Sequence, residues 1–274
     1  MVNKKILILT SGNVSKLDGF KDREDITLGS FSDINYSSDS SDLKFKTYSL
    51  KHFAVIYFRM VGKSLEIATL VADYARQNRI QIIDKMYETA HLLPISLGKS
   101  IEMRMLYEAG INIPRTVFGG DFSSMTFPYI VKSTSGQKSR EVWLVKNAEE
   151  LEILRAKLDS HKLYFAQELI PNAKRIRVLI VGDRAIGAIV RQSKWNKDET
   201  KETLKIIPDD IQKLALDSAR AVNLDISGVD ILINNKTNEK YVIEANAAPA
   251  WKLINKYCGV IVEDEIIKYI QTKI

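Results

Sequence analysis

Two apolar runs, Gly228-Val-Asp-Ile-Leu-Ile233 and Tyr241-Val-Ile-Glu-Ala-Asn246, each carry a carboxylate among aliphatic and β-branched neighbours. An ionised carboxylate in such a strand is costly unless it is paired or bound to metal. The residues between them, Asn234-Asn-Lys-Thr-Asn-Glu-Lys240, are turn formers, so the two runs read as a hairpin. Pairing Ile233 with Tyr241 puts Asp230 directly opposite Glu244, and strand alternation puts Glu244 and Asn246 on one face. Three oxygen donors then converge, a set suited to magnesium, which keeps waters and leans on phosphate oxygens. The competing reading is a solvated strand face, common in antiparallel sheets. The coincidence of three donors in one hairpin favours the shared site.

The rest of the composition fits such a site. The chain has 274 residues, 45% hydrophobic, which permits one large domain or two to three packed subdomains. No run approaches the roughly 18 consecutive apolar residues of a membrane span, so no membrane partner is expected. The opening Met1–Thr10 places lysines before an apolar run, but that run is short and Gly12 follows, so it reads as a first strand and not a signal peptide. Cys258 is the single cysteine, which excludes an internal disulfide and a cysteine metal cluster and suits a reducing cytoplasm; it reads as a packed thiol. The net charge of +6 suits an anionic ligand such as a nucleotide. The clusters Lys44-Phe-Lys46 and Lys174-Arg-Ile-Arg177 are too short for a nucleic-acid arm, and no nucleic acid is expected as partner. His52, His91 and His161 are scattered, so none is expected in catalysis.

Three blocks follow from the patterning. Residues 1–95 alternate strand and helix signals, with strands at 4–9, 53–58 and 80–84 and a helix over 63–77, as in a parallel sheet. The Ser- and Asp-rich Ser30–Asp42 reads as a surface loop. Residues 96–168 open with a helix stopped by Gly110, then extended pieces at 115–118, 127–132 and 141–145, then a polar helix from Ala148. Residues 169–274 are richer in strands, with a hairpin turning at Gly182-Asp183 and a helix starting at Pro208.

The order Asp230, then Glu244-Ala-Asn246, then Pro249 resembles the ATP-grasp superfamily, in particular its glutathione synthetase and ribosomal-protein glutamate ligase branch. The resemblance covers nearly the whole chain and is clearest from Gly98 onward. It implies an α/β (α+β) chain with an ATP-grasp fold and an N-terminal Rossmann-like pre-ATP-grasp domain, the three blocks being that domain and the central and C-terminal ATP-grasp subdomains. It implies that Asp230, Glu244 and Asn246 bind two magnesium ions bridging the ATP phosphates, with manganese also admissible.

Lys99, at the head of the helix leading to Gly110-Ile-Asn-Ile-Pro-Arg-Thr116, and Lys132, ending Phe-Pro-Tyr-Ile-Val-Lys, match the family's two phosphate-binding lysines; an ammonium is a mobile point charge suited to that task. Gln167, Glu168 and Leu169 resemble the hinge where the family reads adenine. Arg177 and Arg191 match arginines approaching the transferred phosphate and acyl group, and guanidinium forks suit such anions. A three-residue turn would place Arg175, Arg177 and Arg191 on one face; a two-residue turn would split Arg177 from Arg191. Asn196 matches an asparagine near the γ-phosphate, and Arg59 a substrate contact in the first domain. Two departures stand out. The phosphate-covering loop Ser133-Thr-Ser-Gly-Gln-Lys-Ser-Arg140 has one glycine, Gly136, leaving Ser135, Ser139 and Lys138 as alternative contacts. Arg175 stands where relatives often place aspartate, which makes the ribose or substrate contact more cationic.

The activity implied is ATP-dependent joining of a small-molecule or peptide carboxylate to an amine through an acylphosphate, with ADP and phosphate released. Such phosphoryl transfer rests on positioning and charge, with no protein nucleophile. A homo-oligomer is compatible with it. Its rivals are a non-catalytic ATP-binding sensor or scaffold of the same fold, and a basic nucleic-acid binder.

Overall fold

The computed structural model describes residues 5–35, 42–87, 98–119, 122–134, 141–159, 163–191, 203–204 and 206–274. Its first elements are β1 (Lys5–Thr10), β2 (Ile26–Ser30), β3 (Ile34–Asn35), β4 (Lys44–Phe45), β5 (Tyr48–Ser49), β6 (Phe53–Met60), α1 (Leu65–Gln77) and β7 (Gln81–Ile83). The main sheet runs β2-β1-β6-β7, every pair parallel. Parallel strands need cover on both faces. Accordingly Leu7, Leu9, Ile56 and Phe58 enter one core, and Ile6, Ile8, Val55 and Tyr57 enter another.

The loop expected over Ser30–Asp42 is corrected in part. Ser30 caps a short 3-10 turn, Phe31–Asp33, through a reciprocal capping box, and β3 follows. Phe31 is fully buried against Phe58, with ring centroids 5.1 Å apart. Ser and Asp serve caps as readily as loops, so composition alone hid this buried aromatic.

The central part holds α2 (Lys99–Glu108), β8 (Thr116–Phe118), β9 (Tyr129–Ser133), β10 (Val142–Val145), α3 (Ala148–Arg155) and β11 (Tyr164–Glu168). These strands form an antiparallel sheet ordered β10-β9-β11-β8. It packs a core of its own around Phe122, Tyr129, Val131, Leu151, Leu154 and Ala166. Asn147 caps α3, accepting from the Glu150 amide at 2.9 Å.

The last part comprises β12 (Ala173–Val181), β13 (Arg184–Arg191), α4 (Asp209–Ala221), β14 (Ile226–Asn234), β15 (Lys240–Asn246), α5 (Lys252–Cys258) and α6 (Val262–Gln271). The sheet is antiparallel, ordered β13-β12-β14-β15. Val178, Val229 and Val242 share a core with Ala215 and Ala219 of α4, while Leu179 and Val181 pack with Ile266 and Ile270 of α6. Both cores continue into the first sheet, so the first and last sheets share their interiors and the central sheet keeps its own.

Two bulges set the registers that matter. In the β14–β15 hairpin Ile233 pairs with Lys240, not Tyr241, and Ile231 with Val242; a shift after Ile231 then places Asp230 opposite Glu244. The expected opposition holds only because Ile243 is inserted as an extra residue. In the β12–β13 hairpin the turn is the two-residue one, Val181 pairing with Arg184 around Gly182-Asp183. Gly182 has φ +62°, and a Cβ there would lie 2.5 Å from the Tyr269 ring. A bulge between Leu179 and Ile180 then shifts the register as a longer turn would, so Arg175 faces Arg191 across the pair.

The first and last sheets are also clasped by polar contacts. The Asp84 carboxylate accepts from the amides of Asp225 (2.7 Å) and Ile226 (2.9 Å), and the Asp84 amide donates to Asp225 at 2.8 Å.

Candidate functional site

Across the last sheet one rung aligns Arg177, Asp230 and Glu244. Asp230 has no exposed surface, and its neighbours explain how an ionised group stays there. Arg177 grips it with a fork, Nε to Oδ1 at 2.6 Å and Nη2 to Oδ2 at 2.7 Å, and Arg175 also donates to Oδ2. Burial by itself would raise the carboxyl, but the hydrogen bonds and charges of Arg177 and Arg175 outweigh it and hold Asp230 well below the usual carboxylate range. Glu244 is less enclosed, 27% exposed. Its Oε1 accepts from Lys99 Nζ at 2.8 Å, and its Oε2 lies 3.8 Å from Arg177 Nη2.

Lys99 opens α2 and is shared: its Nζ also donates to Glu102 Oε2 at 2.8 Å. The other oxygen of Glu102 accepts from the Ala245 amide at 2.7 Å. Burial pushes the Glu102 carboxyl up to about 7 against the opposing pull of Lys99.

Facing this sheet from the central one, Lys132 on β9 donates to Gln167 Oε1 on β11 at 2.5 Å. Gln167 is buried and donates onward to Thr116 Oγ1 at 3.0 Å. Burial, with Arg175 and Lys99 as like charges, lowers the Lys132 ammonium to about 8. That dependence places Lys132 in the same electrostatic neighbourhood as Lys99, Arg175 and Glu244. Glu168 is exposed, its amide donating to the Arg115 carbonyl at 2.8 Å, and half-buried Leu169 follows.

Arg59 sits beside this cluster, not in it. It lies 3.9 Å over the Trp251 ring and donates to the Pro249 carbonyl at 2.8 Å, next to the turn after Asn246. Arg191 is placed by its backbone opposite Arg175. Ser135, Gly136 and Asn196 lie outside the described residues, as do Ser139, Lys138, His91 and His161. Cys258 is half-buried and its thiol donates to the Ala188 carbonyl at 3.6 Å. No helix of the described residues is long and apolar enough to cross a membrane.

The donor set offers oxygens to a divalent cation. Among the described residues no three His, Cys, Asp or Glu side chains gather as a ready metal cluster, so Asn246 is needed to complete any set. Glu244 and Asn246 share a face and offer hard oxygens, which fit magnesium. Asn246 Oδ1 also accepts from the Ala248 amide at 2.8 Å, which fixes its orientation. Asp230 stands opposite Glu244, but Oδ2 already accepts two guanidinium bonds and Oδ1 one, so its remaining capacity for a cation lies on Oδ1.

Sequence reasoning passed over two residues here. Glu102 carried a legible signal, since it follows Lys99 by one helical turn. Trp251 carried none, because its contact with Arg59 joins positions almost two hundred residues apart.

Known proteins resemble this chain in sequence and in fold. Residues 99–270 match the RimK-like ATP-grasp domain. A probable alpha-L-glutamate ligase of Mannheimia succiniciproducens is 29% identical over 196 residues, covering 66% of this chain and 65% of the relative. One from Haemophilus influenzae is 26% identical over 185 residues, 62% and 61% of the two chains. The match therefore spans slightly less than two thirds of these relatives' length. Among solved structures, the ATP-grasp ligase PsnB, complexed with a phosphomimetic variant of its minimal precursor, Mg and ADP, superposes with TM-score 0.71 at 16% identity, covering 98% and 100% of the chains. D-alanine–D-alanine ligase from Bacillus anthracis superposes with TM-score 0.65 at 16% identity, covering 98% of each. These superpositions identify the fold as ATP-grasp.

Proposed function

The chain belongs to the RimK-like ATP-grasp family, and from that membership we propose that it is an ATP-dependent ligase joining a carboxylate to an amine. The observation that carries this reading is the convergence of Lys99, Arg175 and Arg177 on the two carboxylates of one hairpin, with Lys132 near enough to feel the charges of Arg175, Lys99 and Glu244. That cluster is rich in cations, which suits phosphoryl transfer by positioning and charge.

In this reading ATP is a substrate held between the central and last sheets, with boundaries near residues 95 and 168 separating three subdomains. Lys99 and Lys132 contact the α- and β-phosphates, and the segment Gln167-Glu168-Leu169 lines the adenine. Ser135, Gly136 and Asn196 complete the phosphate contacts. Glu244 and Asn246, with Asp230 behind them, would hold magnesium or manganese, one ion or two. When bound, the metal neutralises the β- and γ-phosphates. The substrate carboxylate attacks the γ-phosphorus and ADP leaves; the amine nitrogen then attacks the acyl carbon, phosphate leaves and a proton is lost. Arg177 and Arg191 orient the transferring phosphoryl and acyl groups, and Arg175 and Arg59 contact the substrate. The glutamate ligases among the relatives and the peptide-bound ligase among the structures favour an amino-acid or peptide carboxylate as substrate.

The test is incubation with ATP, magnesium, hydroxylamine and pooled carboxylates that include glutamate and acidic peptides. Acid-dependent ADP release with trapped hydroxamates is expected. Tight nucleotide binding with no hydroxamate from any pool would identify a sensor or scaffold of the same fold instead.

A further inference from the structure

Glu102 is enclosed more completely than any acid in the site except Asp230: its side chain is 2% exposed, against 27% for Glu244. A carboxylate held this deep is tolerated only when both oxygens are satisfied. One accepts from Lys99 Nζ and the other from the Ala245 amide, the residue between Glu244 and Asn246. Glu102 therefore touches two functional elements at once. It fixes the head of α2 to β15, so that the Lys99 ammonium and the Glu244–Asn246 face address the same point. Lys99 divides its bonds between a buried acid and a more exposed one at equal distances of 2.8 Å. If Glu244 turns toward a cation, Lys99 keeps its buried partner and its place.

We propose that Glu102 is a positioning residue for nucleotide phosphate: it anchors Lys99 and registers α2 on the strand that carries Glu244 and Asn246. This rests on the reading of Lys99 as a phosphate ligand, and the experiment separates the two. Equilibrium binding of ADP and of adenosine is measured in magnesium buffer for the full chain, Glu102→Gln, Glu102→Ala, Lys99→Met and the double variant Glu102→Gln/Lys99→Met. Glutamine keeps an acceptor for the Ala245 amide but loses the charge facing Lys99. It should weaken ADP about tenfold, the size of one charged hydrogen bond, with adenosine binding unchanged. Alanine should weaken ADP further. In the Lys99→Met background, Glu102→Gln should change ADP affinity less than about twofold, because the shared partner is gone.

If Lys99→Met leaves ADP affinity intact, the phosphate reading of Lys99 fails and the inference falls with it. If Lys99→Met weakens ADP while Glu102→Gln binds like the unaltered chain, the reading stands and the positioning role is overturned. Parallel loss of ADP and adenosine binding in both Glu102 variants would assign the residue to packing alone, also against the proposal.

Discussion

The two walls of the site handle positive charge in opposite ways. On the last sheet Arg177 and Arg175 are both paired with the buried Asp230. On the central sheet Lys132 faces Gln167, an amide that accepts a hydrogen bond without cancelling the charge. The consequence appears in the ionisation of the two groups: Asp230 is held firmly as an anion, whereas Lys132 is lowered to about 8. A paired wall supports the fold, and an unpaired one keeps its field for an arriving anion. The cores follow the same division, since the last sheet shares its interior with the first while the central sheet packs alone.

The largest effect is expected at Asp230. Asp230→Ala removes the forked partner of buried Arg177, leaving it only the longer contact with Glu244, and also deprives Arg175 of its carboxylate; it should cost about 3–5 kcal/mol, read by urea denaturation. The sign of its pH dependence follows from the depressed folded pKa. The stability it contributes is present above the unfolded value of about 3.9 and is lost progressively as pH falls below it; the variant should show a shallower acid limb. A loss under about 1 kcal/mol would mean that the arginines do not depend on this carboxylate.

Lys132 tests the other wall. Lys132→Met should weaken ADP at least tenfold and leave stability unchanged or improved near neutral pH, because a desolvated cation is removed. Its folded pKa of about 8 lies below the unfolded value near 10.4. The unfolded chain therefore holds more protons between these values, and the cost of burying Lys132 fades as pH rises through them. ADP affinity of the unaltered chain should fall as pH rises through 8, an inflection absent from Lys132→Met.

The smallest effect is expected at Asp84. Asp84 is a fully buried carboxyl held by backbone amides, and burial raises it to about 8 against the opposing Ile226 amide bond. The folded state thus keeps a proton that the unfolded chain releases, so its stability contribution is full below about pH 4 and is lost as pH rises toward 8. Asp84→Asn retains an acceptor for the Asp225 and Ile226 amides and should change stability near pH 5 by about 1 kcal/mol or less. The measurement is stability against pH, where the variant should flatten the slope between 4 and 8; an unchanged slope would refute the assignment.

How much of this was legible in the sequence differs from residue to residue. The strands near 4–9, 53–58, 80–84, 228–233 and 241–245, the helix stopping before Gly110 and the candidacy of Asp230, Glu244 and Asn246 follow from period, turn residues and the expense of a buried charge; β2 and β11 do not. The bulge at Ile243 does not, because a register shift leaves no mark on composition. Nor do the partners of Asp230, which lie more than fifty residues away on another strand, or the Asp84–Asp225 clasp, which spans 141 residues.

Which side chains carry charge, and which of them share a face of an unbulged strand, can be read from the sequence, because alternation and helical spacing act over a few residues. Tertiary structure alone decided which charges are paired. Coulombic and hydrogen-bonding energies depend on distances across the fold and on how completely water is excluded, and neither is set until the sheets have packed. Hence Asp230 and Asp84, both buried carboxylates, end with opposite protonation: one has two arginines brought to it, the other has backbone amides and the like charge of Asp225.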